Sequence, residues 1–300
     1  MEEKLQSFFR QLDAYYEVHD NDGAERYMKE QANLPLTEAS GSEEEKQAAF
    51  SDSCLYSASV YNELACFYRG VSRFQESVDT FETARQMLKA AGKEDTDLYG
   101  TVLLNEAGVW RYLGETEEAL GLFEEAEEML TRPGSEGNEE TLAGLWNNTG
   151  LVHLDRNEPS LALPYFRRAL EVVSASERMA VQQGVTWNNI ASVFMMQGDI
   201  PHAEEAVRKA VDLLQEYGSK EDPHTPAALN TLGVIYYHQG KKEEALLQFQ
   251  RSLALTKLCY GENAEYASGC ANCAAVCDAL GRKDEAAAWQ QKADSIRGTK

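Results

Sequence analysis

Three observations on the sequence predict an all-α fold, an α-solenoid of stacked antiparallel helix pairs. Apolar residues recur at three- and four-residue steps through most of the chain, which is the period of a helix rather than a strand. Small residues return at fixed places every 41 to 43 residues. A glycine or asparagine punctuates five of the six copies, where one helix must stop and the next begin. A repeat of this length overrules the two-domain expectation that 300 residues would otherwise carry.

Residues 1–33 read as a degenerate helical hairpin, in which Leu12, Tyr15, Ala24 and Met28 follow the repeat spacing loosely. Residues 34–54 are expected to hold an acidic loop or linker and the start of the first full repeat. Pro35, Gly41, Ser42 and the run Glu43, Glu44, Glu45 give Leu34 to Glu45 the composition of an exposed loop. Six full repeats occupy residues 55–296, and 297–300 form a tail with no further helix. Terminal units of such arrays are usually atypical, because they must cap the core. The last pair carries Ala286, Ala287, Ala288 and Trp289, so an apolar edge open to self-association is expected there.

The stretch Leu229 to Leu253 sets the template, with a first helix to Gln239, a hinge at Gly240 and a second helix from Glu243. Before it, Gly218 to Asn230 reads as a linker. The small residue opening each second helix is Ser77, Ala119, Ala162, Ala203, Ala245 and Ala286 in turn. The matching residue in each first helix is Ala65, Ala107, Gly150, Ala191, Gly233 or Ala274, followed three positions on by Tyr68, Trp110, His153, Phe194, Tyr236 or Cys277. Second helices then carry Phe81, Phe123, Phe166, Val207 and Phe249, lapsing at Gln290. Small residues at fixed sites in both helices imply close backbone approach, where a larger side chain would cost roughly 1–3 kcal/mol. Gly114, Gly198, Gly240 and Gly281 are placed to adopt the left-handed conformation that ends a helix, with Asn157 in the same role. Pro159 and Pro201 fit the first turn of their helices, whereas Pro164 predicts a late start or a kink.

This small–aromatic–small–aromatic–small order across a helical hairpin resembles the tetratricopeptide repeat. The period near 42 rather than about 34 residues is similar to the longer kinesin-light-chain type. The resemblance covers roughly residues 55–296. It implies a right-handed superhelix and a non-catalytic interaction module that receives a peptide or a partner's tail on the concave wall of first helices.

Composition sets limits on partners. A formal net charge of −22 opposes nucleic acid or an anionic membrane as the main ligand, since both are polyanions. The first residues lack a cationic segment followed by an apolar run, so no signal peptide is expected. Six unevenly placed cysteines do not resemble a secreted disulfide framework, which makes a reducing cytoplasm the expected location.

Cys270, Cys273 and Cys277 have a spacing that thiolate metal sites use. They also occupy the places of Leu229, Leu232 and Tyr236 one repeat earlier, so burial as small hydrophobes is the reading adopted, with no metal and no cofactor expected. His153 stands where its repeat wants an aromatic and is expected in the core. No P-loop, H-E-x-x-H, G-x-S-x-G or G-x-G-x-x-G pattern occurs, so no enzyme activity is expected.

The asparagines carry the functional expectation. Three or two residues before the small position of the first helices stand Asn62, Asn105, Asn147, Asn148, Asn188, Asn189 and Asn230. Asn costs up to about 0.7 kcal/mol relative to Ala inside a helix, so its recurrence there needs a reason. One reason is that a ladder of amides, each both donor and acceptor, clasps the backbone of an extended peptide. Peptide-binding relatives of the repeat use inner-helix asparagines in that way, and the resemblance implies it here. The other is that the amides bond between neighbouring repeats and fix their geometry. Arg69, Arg111, Leu154, Met195 and Tyr237 lie four residues after the small position. If they point inward, a partner with an acidic segment beside bulky apolar residues fits. A second functional reading is a peptide-responsive signalling regulator that changes solenoid conformation on ligand binding.

Overall fold

The computed structural model describes residues 1–35, 41–135, 138–219 and 222–298. Among these the chain forms fourteen α-helices and one 3-10 turn, with no strand. The helices are α1 (Glu2–Glu17), α2 (Asn21–Ala32), α3 (Glu43–Gly70), α4 (Phe74–Ala90), α5 (Asp97–Leu113), α6 (Thr116–Thr131), α7 (Glu139–Asp155), α8 (Pro159–Val173), α9 (Ala180–Met196), α10 (Ile200–Tyr217), α11 (His224–His238), α12 (Lys242–Tyr260), α13 (Ala264–Ala279) and α14 (Lys283–Arg297). No described helix is long and apolar enough to cross a membrane.

The chain divides into two compact units, Met1–Leu145 and Trp146–Lys300, whose boundary falls inside α7. In the first unit α3 packs on α4 and α5 on α6 as hairpins, with α2 against α3 and α4 against α5. Phe8, Leu12, Ala24 and Met28 of the α1–α2 hairpin share a core with Tyr56, Val60, Leu64 and Tyr68 of α3. In the second unit α9–α10, α11–α12 and α13–α14 are the hairpins, and first helices α9 and α11 also touch. Its core runs unbroken from Ala162 and Phe166 to Ala293.

Close approach explains the fixed small residues. A Cβ on Gly150 would lie 2.6 Å from Phe166 Cε1, and one on Gly233 would lie 2.7 Å from Phe249 Cε1. Ser77, the polar member of its column, donates from Oγ to the Ala65 carbonyl at 2.7 Å, so its burial leaves no hydroxyl unpaired.

Every hinge has one construction. The residue five places before the small position of the second helix has positive φ: His19, Ser72, Gly114, Asn157, Gly198, Gly240 and Gly281. The next N–H then reaches back to the carbonyl five residues earlier, at Tyr15, Tyr68, Trp110, His153, Phe194, Tyr236 and Cys277. This six-to-one bond is a Schellman stop, and it satisfies a carbonyl the helix end would otherwise leave open. His19 and Ser72 show that the α1–α2 and α3–α4 hairpins turn the same way as the rest.

Four expectations are corrected. Glu43, Glu44 and Glu45 are not loop residues but the first turn of α3, where Ser42 and Glu45 form a reciprocal capping box. Residues 36–40 of the expected loop lie outside the described residues. The expected linker Gly218 to Asn230 gives way to helix at His224, because Pro226 sits in the first turn, where its missing N–H is not needed. Of the late start or kink expected at Pro164 only the late start is excluded, since α8 begins at Pro159 and runs through Pro164. At the C-terminal hairpin Ala286 is buried and Trp289 packs on the core, which leaves Ala287 and Ala288 as the exposed part of the expected apolar edge.

His153 is half-buried rather than sealed in the core. Its ring stacks on Tyr165 at 5.5 Å and Nδ1 pairs with Glu158 Oε2 at 2.8 Å across the hinge. That bond holds the Glu158 carboxyl below its usual range. Cys270, Cys273 and Cys277 lie fully in the core, and burial pushes the Cys273 thiol up to about 12. Among the described residues no group of three His, Cys, Asp or Glu side chains is arranged to hold a metal.

Candidate functional site

The asparagines fall into two classes that sequence position alone did not separate. Six of them pair across neighbouring first helices. Asn105 Nδ2 donates to Asn62 Oδ1 at 3.1 Å between α5 and α3 in the first unit. In the second unit Asn189 Nδ2 donates to Asn147 Oδ1 at 3.0 Å, and Asn272 Nδ2 to Asn230 Oδ1 at 2.9 Å. The register is constant: the residue three before the small position of one repeat accepts from the residue two before it in the next. Remaining valences are also used, since Asn62 Nδ2 donates to Glu63 Oε1 and Asn147 Nδ2 to Thr186 Oγ1. These amides fix repeat geometry. Asn272, which the 42-residue step from Asn230 places in the same ladder, belongs to the paired set although it was not among the expected contact residues.

Asn148 and Asn188 form the other class. The residue that would complete Asn188 in this register is Thr231, whose hydroxyl turns back to the Ala227 carbonyl at 3.1 Å. Asn188 Oδ1 is consequently buried with no hydrogen-bond partner. A buried acceptor left open costs roughly 1–3 kcal/mol.

Both arginines have neighbours within the chain. Arg69 Nη1 donates to the Asn105 carbonyl at 3.3 Å, which ties α3 to α5. The Arg111 guanidinium lies 5.8 Å from the ring of Tyr112, itself 64% exposed and stacked on Phe74. Met195 is half-buried against the core of the second unit, while Tyr237 remains 40% exposed. Near Asn62, burial raises the Glu63 carboxyl above its usual range.

Comparison with known proteins gives this geometry its family. The tetratricopeptide repeat model matches residues 56–132 and 182–258, just over half of the chain. The chain is 22% identical over 220 residues to Protein KINESIN LIGHT CHAIN-RELATED 3 of Arabidopsis thaliana, covering 73% of this chain and 34% of that protein. It thus spans about a third of the length of the plant relatives it matches. Among solved structures it is similar to BtubC (BKLC) from P. vanneervenii, with a TM-score of 0.57, 19% identity and coverage of 83% and 91% of the two chains. It is also similar to NprR in complex with its cognate peptide NprX, with a TM-score of 0.63, 14% identity and coverage of 88% and 70%. Repeat register, hinge construction and these matches agree: the chain belongs to the tetratricopeptide repeat family, as an all-helical solenoid with repeats of the kinesin-light-chain type.

Proposed function

We propose that the chain is a non-catalytic protein-interaction module, a scaffold or adaptor that holds an extended segment of a partner against its first-helix face. The observation that carries this reading is the open acceptor of Asn188, on a helix whose other asparagine, Asn189, is paired. A peptide N–H is the donor such an acceptor lacks, and a side-chain amide can give and take a backbone bond at once. Met195 on the same helix and Tyr237 on α11 would supply apolar area to such a segment. Because recognition would run through the backbone, apolar side chains of the segment rather than its charge would set its preference. The similarity to the peptide complex of NprR supports a peptide as the occupant.

The test is selection of a phage-displayed random dodecapeptide library on the intact chain, followed by titration of the enriched peptides. The Asn148→Ala, Asn188→Ala double variant should bind them roughly tenfold more weakly, the value of one or two hydrogen bonds, with unchanged melting. Equal binding by the double variant would remove the first-helix face as the site.

A second reading is that the bound peptide shifts the conformation of the array and the chain acts as a signalling regulator. Small-angle scattering with and without the selected peptide separates the two: a rigid scaffold gives superimposable profiles, a regulator does not.

A further inference from the structure

Where α10 ends, its last turn, the first turn of α11 and the middle of α12 enclose a cavity of about 430 Å³. That volume falls within the roughly 300–1,000 Å³ of small-molecule sites. Leu214 is a buried apolar wall, Leu255 is half-buried, and Ala254 is exposed at the edge.

Three polar features converge on this apolar body. Thr225 lines the cavity at 7% exposure, and its hydroxyl has no hydrogen-bond partner among the described residues. That open hydroxyl is particular to this repeat. Eight residues before the small position stands Gln183 one repeat earlier, its amide bonded to Ser174 Oγ at 3.0 Å, and Tyr266 one repeat later. Helix α11 opens on Pro223, which gives no side-chain cap, so the helix start keeps its partial positive charge.

Arg251 is the third feature. Lys209 and Lys292 hold the equivalent positions of α10 and α14, and are paired with Glu205 and Glu262. Arg251 makes no ion pair among the described residues and donates from Nη1 to the neutral Gln248 Oε1 at 3.0 Å. It is the one charge among the described residues that line the cavity. The Asp222 carboxyl, beside Gly218, takes the His224 N–H on Oδ1 at 2.7 Å. A guanidinium, a free hydroxyl and a helix start together select an anion, and one guanidinium matches one carboxylate.

We propose that this cavity binds a small carboxylic acid with a short aliphatic body, its carboxylate between Arg251 and Thr225 and its chain along Leu214 and Leu255. The site is independent of the first-helix face, because none of its lining residues is one of the asparagines.

Saturation-transfer NMR titration of the intact chain tests it with three probes: hexanoate, hexanol, and acetyl-Gly-Gly-Leu with a free C-terminus. Hexanoate should bind in the millimolar range, and hexanol roughly tenfold more weakly for want of the charge-assisted bond. Arg251→Gln should weaken hexanoate roughly tenfold. Thr225→Val should weaken it roughly threefold while melting stays the same or rises, since no open hydroxyl is then buried. Ala254→Trp, an exposed substitution that fills the cavity, should abolish binding. Asn188→Ala should bind as the parent does, so that this site and the first-helix face fail separately. Equal binding of hexanol, unchanged affinity in any of the three cavity variants, or no signal at tens of millimolar hexanoate would each overturn the proposal. A tripeptide that binds tenfold more tightly than hexanoate would overturn it too, by making the end of a partner chain the ligand.

Discussion

Asn189 Nδ2 donates to Asn147 Oδ1 at 3.0 Å, joining first helices of successive repeats through their side chains. Asn147 passes the chain on through Nδ2 to Thr186 Oγ1, itself bonded to the Gln182 carbonyl. Truncating one member removes that bond from the half-buried partner, which can cost more than the bond itself contributes. Asn189→Ala should therefore lower the unfolding free energy by about 1–3 kcal/mol in urea denaturation. Asn188→Ala removes an acceptor that has no donor and installs a better helix former, so it should leave stability unchanged or raise it. If both variants lose equally, the division of the asparagines into two classes fails.

Glycines divide in the same way, by what a methyl group would meet. Gly233→Ala drives Cβ to within 2.7 Å of Phe249 Cε1, and should cost about 1–3 kcal/mol by overpacking. Gly121, exposed in the middle of α6, has nothing within 4 Å of a Cβ and no positive φ. Gly121→Ala should stabilise by roughly 0.8–1 kcal/mol, the helix propensity difference. Thermal melts of the two variants are expected to move in opposite directions.

The contrast shows which parts of the molecule were legible in sequence. Register was legible, because a backbone contact between helices tolerates only small side chains, and Ala, Gly and Ser at 41 to 43 residue steps announce it. The hinges at His19 and Ser72 were not read as left-handed, since neither residue advertises that conformation, although both stand five places before a small residue like the glycines. The start of α3 was missed for a related reason: three glutamates read as a solvated loop until Ser42 is seen to cap them. The asparagine pairing was half legible. Its 42-residue steps were in plain view, but whether an amide bonds its neighbour or a ligand depends on what the facing helix carries, Asn272 in one case and Thr231 in another.

Acid should weaken the attachment of the N-terminal hairpin. Glu25 on α2 is paired with Lys29 Nζ at 2.6 Å and with Arg73 Nη1, beyond α3, at 2.9 Å. The bond from Lys29, and after it the bond from Arg73, holds the Glu25 carboxyl below its usual range. A carboxylate with a depressed folded pKa binds fewer protons in the native state than in the unfolded one. Its contribution is complete above the unfolded pKa of about 4.3 and is lost as pH falls through the lower folded value. Glu25→Gln should thus be less stable than the parent at neutral pH and converge with it in acid. Chemical denaturation of both chains along a pH series reads this directly, and parallel profiles would show that the pair contributes nothing.

The cysteines give the last expectation, in which burial decides reactivity. Thiol reagents need the thiolate, and burial pushes Cys66 and Cys273 up to about 12 and raises Cys54, Cys270 and Cys277 as well. At pH 8 a thiol of that pKa is ionised in about one molecule in ten thousand. Cys259 is half-buried at the end of α12, with Sγ 3.9 Å from the Asp222 carbonyl. Labelling of the native chain with a disulfide reagent should therefore show Cys54, Cys66, Cys270, Cys273 and Cys277 as slow thiols that react only as the chain opens. In guanidinium all six should react at once. A chelator distinguishes core packing from a hidden metal site: if Cys270, Cys273 and Cys277 are held by neighbouring side chains, it leaves their rates unchanged, whereas faster labelling would mean that the three thiols had been ligands.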